Sequence, residues 1–264
     1  LLTDFYTDFK KINHFVGIYD GNNHMIPEKY PYAYKMIKQI CKSNGGSFHI
    51  VDHHQAHAAN AFFSSNLEQS LIVTMDGGGW DHESIVKSGH STPVTFTIWK
   101  GDGTKITPVK YFTEFEFNIG ATWNLLTKNI FGMSIGWPRG SQVGSVMAMA
   151  SFGDPEKYYN HMKVMNFKHE SRYTEEQKHA FLDLVRLGKN DEKEQFHIAA
   201  ALQKYTEDFV FSIIKQVISN ENIIHKNIKT NLCLSGGVSL NCVMVGKMFD
   251  VFEDKIDNIY VCPI

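Results

Sequence analysis

A predicted buried strand at residues 231–234 runs straight into a predicted helix through Ser235-Gly236-Gly237-Val238-Ser239-Leu240-Asn241. Glycines at such a junction let a ligand approach the backbone, and the helix N-terminus beyond them favours an anion. The segment has neither the GxGxxG spacing of dinucleotide-binding proteins nor the lysine of a Walker motif. It is compatible with a nucleotide site outside those two classes and with a plain structural connection.

A second glycine segment follows another apolar run. Residues 70–76 are predicted to form a buried strand, and Gly77-Gly78-Gly79 a tight turn before a second strand around residues 83–87. An aspartate at the strand end, here Asp76, can hold a cation or its hydration shell, although Asp-Gly is also the commonest signal for an ordinary hairpin. Two such turns around a helical region indicate the plan of the actin-like ATPases, an α/β fold.

Three histidines lie close together at His53, His54 and His57, directly after a predicted strand at residues 48–51. Positions i and i+4 of a helix lie one above the other, so the imidazoles of His53 and His57 can reach one metal ion. His54 points elsewhere and is better placed as an acid or base. The alternative is a set of histidines at the exposed start of an alanine-rich helix, because two ligands alone do not define a metal site.

Bulk properties exclude several classes of protein. The chain has 264 residues and a formal net charge of -2, which gives no reason to expect a nucleic acid or an anionic membrane as a partner. No apolar run approaches the ~20 residues of a membrane span. The four cysteines are widely spaced without a CxxC pair, which is typical of reduced thiols. We therefore expect a globular cytoplasmic protein.

The organisation along the chain is mixed α/β with one distinctive helical region. Residues 155–190 are charged and helical with breaks, which predicts an inserted or peripheral subdomain. Residues 191–220 predict one long helix whose apolar stripe packs into the core. The chain begins without methionine inside a helical pattern and stops at an apparent strand, so we expect a fragment of a longer protein.

Taken together, these motifs resemble the N-terminal domain of the NodU/CmcH-type O-carbamoyltransferases. The resemblance keeps the order of the family's motifs and extends from about residue 47 to the C-terminus. The segments that carry it are residues 51–59, 76–79, 118–123, 146–153, 198–203 and 234–242.

The resemblance implies an actin-like ASKHA (ribonuclease H-like) fold and carbamoyl transfer in two steps. A YrdC-like C-terminal domain, expected outside residues 1–264, makes carbamoyl adenylate from carbamoyl phosphate and ATP, with Mg accompanying the ATP. The actin-like domain then transfers the carbamoyl group to a hydroxyl of a sugar, an antibiotic or a similar acceptor. A homo-oligomer is compatible with the resemblance.

The resemblance also implies roles for residues of this chain. A divalent metal, iron with zinc as the alternative, is held by His53 and His57 together with an aspartate expected beyond Ile264. His54 is the candidate catalytic residue that helps to deprotonate the acceptor, with a buried or hydrogen-bonded structural role as the equal alternative. The adenylate is held by Asp76, Gly77, Gly78, Gly79, Ser235, Gly236, Gly237, Val238 and Asn241.

Departures from the family pattern leave alternatives open. Family members usually have lysine at the position of Ser145, and losing it removes a positive charge near the expected phosphate path. The family's early His-Asp hairpin is expected before residue 1, so we predict that residues 1–264 alone do not catalyse transfer. The alternatives are an ASKHA-type small-molecule kinase, which needs no histidine pair, and a non-catalytic nucleotide-binding module.

Overall fold

The computed structural model describes residues 14–18, 38–81, 93–134, 140–220 and 230–262. The chain forms two compact units, one of Leu1–Ala56 with Gly79–Pro93, the other of His57–Gly78 with Val94–Ile264. In the smaller unit, β1 and β2 pair in parallel, with His14 opposite Ser47. Their bounds are His14–Ile18 and Ser47–Val51.

The larger unit is built on a five-stranded sheet in the order β5-β4-β3-β6-β7. Strand β6 pairs in parallel with both β3 and β7, whereas β4 and β5 form an antiparallel hairpin. This is the sheet of the ribonuclease H-like fold on which actin-like ATPases are built, so the predicted fold class is confirmed. The strands are β3 (Gln69–Gly79), β4 (Val94–Asp102), β5 (Lys105–Thr113), β6 (Thr230–Ser235) and β7 (Ile256–Val261).

Seven helices with complete bounds lie in the described part of the chain, and none is long and apolar enough to cross a bilayer. They are α1 (His53–Ser64), α2 (Ile119–Asn129), α3 (Val143–Met149), α4 (Glu156–Met165), α5 (Glu175–Asn190), α6 (Glu192–Ile218) and α7 (Cys242–Phe252). Short 3-10 turns lie at Ala150–Phe152, Glu170–Arg172 and Gly237–Leu240.

Helices cover both faces of the sheet, and this explains the continuous apolar run of β3. On one face, Ile72 of β3 packs with Ala58 and Phe62 of α1. On the other face, Val73 and Met75 belong to the main core, to which α2, α6 and α7 also contribute. The central strands therefore have no solvated face, and their ends are left as the place for a site.

The helical region at residues 155–190 shares this main core. Met162 of α4 and Leu184 of α5 are buried in the same cluster as Ile198 and Leu202 of α6. The long helix predicted at residues 191–220 is confirmed as α6, and its apolar stripe lies in the core or packs against it. That residues 155–190 are an insertion stays a prediction.

The tight turn predicted at Gly77-Gly78-Gly79 is not formed, because β3 continues to Gly79. Gly78 has a φ of 143°, a conformation that glycine adopts without steric cost, so the chain stays extended where Asp-Gly signals a turn. The strand predicted around residues 83–87 lies outside the described residues.

Candidate nucleotide and metal site

The carboxyl ends of the parallel strands β3 and β6 open onto a cavity of about 340 Å³. This is the edge at which open α/β sheets bind ligands. The strand ends contribute Asp76 and Gly77 on one side and residues 237–241 on the other. The opposite wall comes from α2 and α3 and includes Trp123 and Met147.

Asn118 attaches the end of β3 to the start of α2. Its Oδ1 accepts a hydrogen bond from the backbone N–H of Ala121 at 2.8 Å, which caps the helix, and its Nδ2 donates to the carbonyl of Gly77 at 2.8 Å. Gly120 makes the close approach possible, since a Cβ there would lie 2.7 Å from Gly77 Cα. The cavity wall at Gly77 is therefore held by the helix start.

Gly236 allows the end of β6 to lie close to β3. Its φ is 91°, and a Cβ at this position would lie 2.3 Å from the carbonyl oxygen of Met75. The chain then enters a 3-10 turn, closed by a hydrogen bond from Ser239 Oγ to the carbonyl of Ser235 at 2.6 Å. Only glycine fits at position 236 without movement of the backbone.

His57 contacts both strand ends. Its Nε2 lies 3.2 Å from Asp76 Oδ2, and its Nδ1 lies 3.3 Å from Ser235 Oγ. The other oxygen of Asp76 accepts a hydrogen bond from the N–H of Gly77 at 2.7 Å. Because Asp76 also lines the cavity, its carboxylate links the cavity to His57.

The residues present fit the metal that the resemblance implies. His53 lies four residues before His57 on the same helix, so the two imidazoles lie on one face of α1. Within the larger unit, His57 and Asp76 offer a ring nitrogen and a carboxylate side by side, donors that suit zinc, iron or another first-row metal. The sequence analysis assigns Asp76 to the adenylate and notes that a strand-end aspartate can hold a cation, but it does not place Asp76 beside His57.

The start of α1 is fixed by a carboxylate from a distant part of the chain. In the smaller unit, Asp81 Oδ1 accepts a hydrogen bond from the backbone N–H of His54 at 3.1 Å. Burial of Asp81, followed by the charge of Asp52, raises the pKa of the Asp81 carboxyl to about 7, against the opposing effect of the His54 N–H. Asp81 thus supplies a side-chain acceptor to a backbone N–H in the first turn of α1.

Two neighbours complete the start of α1. A Cβ at Gly79 would lie 2.1 Å from His53 Cδ2, so the missing side chain makes room for the imidazole. His54 itself is completely buried and packs edge-on against His53. Its catalytic role stays a prediction, and its burial favours the structural alternative.

The amide of Asn241 is engaged by Gln203 and by the start of α7. Its Nδ2 donates to Gln203 Oε1 at 2.8 Å, and its Oδ1 accepts from Gln203 Nε2 at 3.1 Å and from the N–H of Met244 at 3.0 Å. Gln203 also donates to the buried carboxylate of Glu207, which Lys247 pairs at 2.8 Å. The network fixes Asn241 as the N-cap of α7, and its role in holding adenylate stays a prediction.

The structure thus brings together only part of the predicted nucleotide set. The members of this set that line the cavity are Asp76, Gly77, Gly237, Val238 and Asn241. The members that do not line it are Gly78, Gly79, Ser235 and Gly236. Sequence reasoning gave no role to Asn118, Gln203 or Glu207. Signals were present: Asn118 stands before a glycine at a helix start, and Gln203 and Glu207 are polar residues on the buried stripe of α6.

The position of Ser145 is now defined. It is an exposed residue of α3, directly after Gly144, which lines the cavity. The departure from the family pattern therefore lies next to the candidate site.

The family model for the carbamoyltransferase N-terminus matches residues 10–264. The chain belongs to this family. It is 27% identical over 80% of its length to the uncharacterised protein sll1178 of Synechocystis sp., of which it covers 33%. It is 26% identical over 81% of its length to the nodulation protein NolO of Bradyrhizobium diazoefficiens, of which it covers 35%. The chain thus spans about a third of the length of these curated relatives.

Among solved structures, HypF from T. kodakarensis superposes with a TM-score of 0.47 and 12% identity. The superposition covers 87% of this chain and 36% of HypF.

Proposed function

We propose that this chain forms the transfer domain of a carbamoyltransferase. In this proposal the whole enzyme makes carbamoyl adenylate from carbamoyl phosphate and ATP and passes the carbamoyl group to a hydroxyl of a small-molecule acceptor. Membership of the carbamoyltransferase family supports the group transferred. The observation that carries the site assignment is Asp76, whose carboxylate lines the cavity and contacts His57.

The cavity suits an adenylate in both its walls and its size. Trp123, Met147 and Val238 offer apolar and aromatic surface for the base, whereas Gly77 and Gly237 present backbone without side chains to the phosphate. A volume of about 340 Å³ falls in the range of small-molecule sites. The base is expected against α2 and α3, and the phosphate near Asp76.

His53 and His57 of α1 would hold the metal, which the resemblance gives as iron, and Asp76 lies beside His57 as a further candidate donor. When bound, a divalent ion there supplies positive charge that stabilises an oxygen of the carbonyl or of the phosphate. Ser235 lies within 3.3 Å of His57 Nδ1 and helps to fix the orientation of the ring.

The transfer itself needs positioning more than a strong nucleophile. The acceptor oxygen attacks the carbonyl carbon, the new C–O bond forms, and the bond from that carbon to the phosphate oxygen breaks, so that AMP leaves with the electron pair. The proton of the hydroxyl passes to a base, for which His54 is the predicted group. AMP is a good leaving group, so orientation of the two reactants supplies much of the rate.

The test is a paired measurement on the full-length protein and a His53→Ala/His57→Ala variant. We expect stoichiometric metal in the wild type, its loss in the variant, retained consumption of ATP and carbamoyl phosphate, and lost carbamoyl transfer. A His161→Ala/His179→Ala variant, altered on α4 and α5, should match the wild type. Metal retained by the His53/His57 variant overturns the ligand assignment, and a wild type that does not consume ATP with carbamoyl phosphate overturns the proposed function.

A further inference from the structure

A second cavity, of about 480 Å³, lies beside the first. The two cavities share Gly77 at the end of β3 and Asn124 in the middle of α2. The other walls of the second cavity come from α2, from the residues around Ser141, and from residues 168–170.

Two lysines, Lys128 and Lys168, line this second cavity. Lys128 lies in the last turn of α2 and forms no ion pair with any residue in the described part of the chain. Lys168 is held in place because its Nζ donates to the carbonyl of Phe115 at 3.1 Å. Glu170 contributes one opposing carboxylate, so two ammonium groups face one acid.

Polar groups without charge add to the same lining. Ser141 Oγ is buried and has no hydrogen-bond partner among the described residues. A buried hydroxyl without a partner is costly, and most such groups in proteins are satisfied. Nδ1 of His169 is engaged by Ser171, which turns the Nε2 edge of the ring away from that contact. A hydroxyl donor and an imidazole therefore accompany the two ammonium groups.

We propose that this second cavity binds the phosphoryl group of a small molecule distinct from the ligand of the first cavity. Tetrahedral oxyanions accept several hydrogen bonds at once, and ammonium groups with a buried hydroxyl form the complementary donor set. The space exceeds that of the first cavity, which leaves room for an organic portion. The proposal does not depend on carbamoyl transfer, because it rests on a separate set of side chains.

Titration calorimetry tests this on the full-length protein with inorganic phosphate and glycerol 3-phosphate as probes and glycerol as the neutral control. We expect saturable binding of both anions, and tighter binding of the monoester if the occupant carries an organic portion. Equal affinity would identify free phosphate as the occupant. Binding must persist when AMP is present at saturation, because the two cavities are separate.

Three variants localise the binding. Lys128→Gln should weaken phosphate binding about fivefold or more, because it removes a charged donor. Lys215→Gln is the matched control, since Lys215 is an exposed lysine in the last turn of α6 and should leave affinity unchanged. Ser141→Ala should lower affinity about threefold without lowering the melting temperature, because its hydroxyl has no partner to lose among the described residues.

Three outcomes overturn the proposal. The first is binding that does not saturate, and the second is equal weakening by Lys128→Gln and Lys215→Gln. The third is complete displacement of phosphate by AMP. A Ser141→Ala variant that loses stability instead of affinity would assign that hydroxyl to the fold and remove it from the site.

Discussion

Nδ2 of Asn118 donates a hydrogen bond to the carbonyl oxygen of Gly77 at 2.8 Å, while Oδ1 of the same amide caps α2. One side chain thus joins the end of β3 to the start of the helix that faces it across the cavity wall. Asn118 is almost completely buried, so water cannot replace either contact without rearrangement.

Replacement of Asn118 should therefore affect stability and ligand binding together. Asn118→Ala removes a helix cap and a buried hydrogen bond. We therefore expect the free energy of unfolding to fall by about 2 kcal/mol. Asn129→Ala is the matched control, because the one side-chain bond of Asn129 among the described residues goes to the carbonyl of Leu125 within α2. Urea unfolding with AMP titration measures both effects. Equal losses of unfolding free energy and of AMP affinity in the two variants would contradict the linking role of Asn118.

The network behind Asn241 predicts an effect of Gln203 on the cavity. Gln203→Leu leaves the buried carboxylate of Glu207 and the amide of Asn241 short of partners, so we expect a loss of about 2–3 kcal/mol and weaker nucleotide binding. Gln195→Leu on the same helix loses one bond, to the carbonyl of Gly188, and should cost about 1 kcal/mol. Unfolding curves and nucleotide affinities of both variants check this, and unchanged affinity in Gln203→Leu would separate the network from the site.

Glycine positions offer a test of the close approach between β3 and β6. Gly236→Ala places a Cβ 2.3 Å from the carbonyl oxygen of Met75 at a φ of 91°, so the backbone must shift. We expect the free energy of unfolding to fall by about 3 kcal/mol or more, or the variant to fail to fold. Gly246→Ala, in the middle of α7 with open space around it, should stabilise by about 0.5–1 kcal/mol. A Gly236→Ala variant as stable as the wild type would show that the strand ends are not tightly packed.

The sequence allowed prediction of what is encoded locally. The apolar runs of β3 and β6, the hairpin of β4 with β5, and the stripe of α6 follow from patterns within each segment, and they were enough for the fold class. The prediction of a turn at residues 77–79 is wrong because its Asp-Gly signal is local, whereas Gly77 in the extended strand packs closely against Gly120, 43 residues further along the chain.

The partners within the site could not be predicted in the same way. His57 and Asp76 are in different elements, and Gln203 and Asn241 are 38 residues apart in the chain. Such contacts exist only after the sheet has formed, so a motif can give residue types but not the pairs they make.

Asp76 should be essential for metal retention because its carboxylate lies beside His57. Asp76→Asn keeps the shape of the side chain but removes its charge, and we expect metal affinity to fall by a factor of about 100. Asp102→Asn, a strand-end aspartate that bonds Gln69, is the control and should retain metal. Competition with a chelator gives the affinities. Full metal affinity in Asp76→Asn would restrict the role of Asp76 to the nucleotide.

Asp81 predicts a pH dependence whose sign follows from its raised pKa. Burial holds the pKa of the folded carboxyl at about 7, above the value of about 3.9 in an unfolded chain. The protonated carboxyl therefore stabilises the fold fully below about pH 4, and this contribution is lost as the pH rises to about 7.

Asp81→Asn cannot ionise but can still accept from the N–H of His54. Relative to this variant, the free energy of unfolding of the wild type should fall by up to about 4 kcal/mol between about pH 4 and about pH 7. Above pH 8 it should fall no further. Unfolding free energies of both proteins across this range, with a chelator present, measure the difference. If the difference does not change between pH 5 and pH 8, Asp81 is already ionised in the folded protein, and its carboxylate is stabilised by the helix start more strongly than burial opposes it.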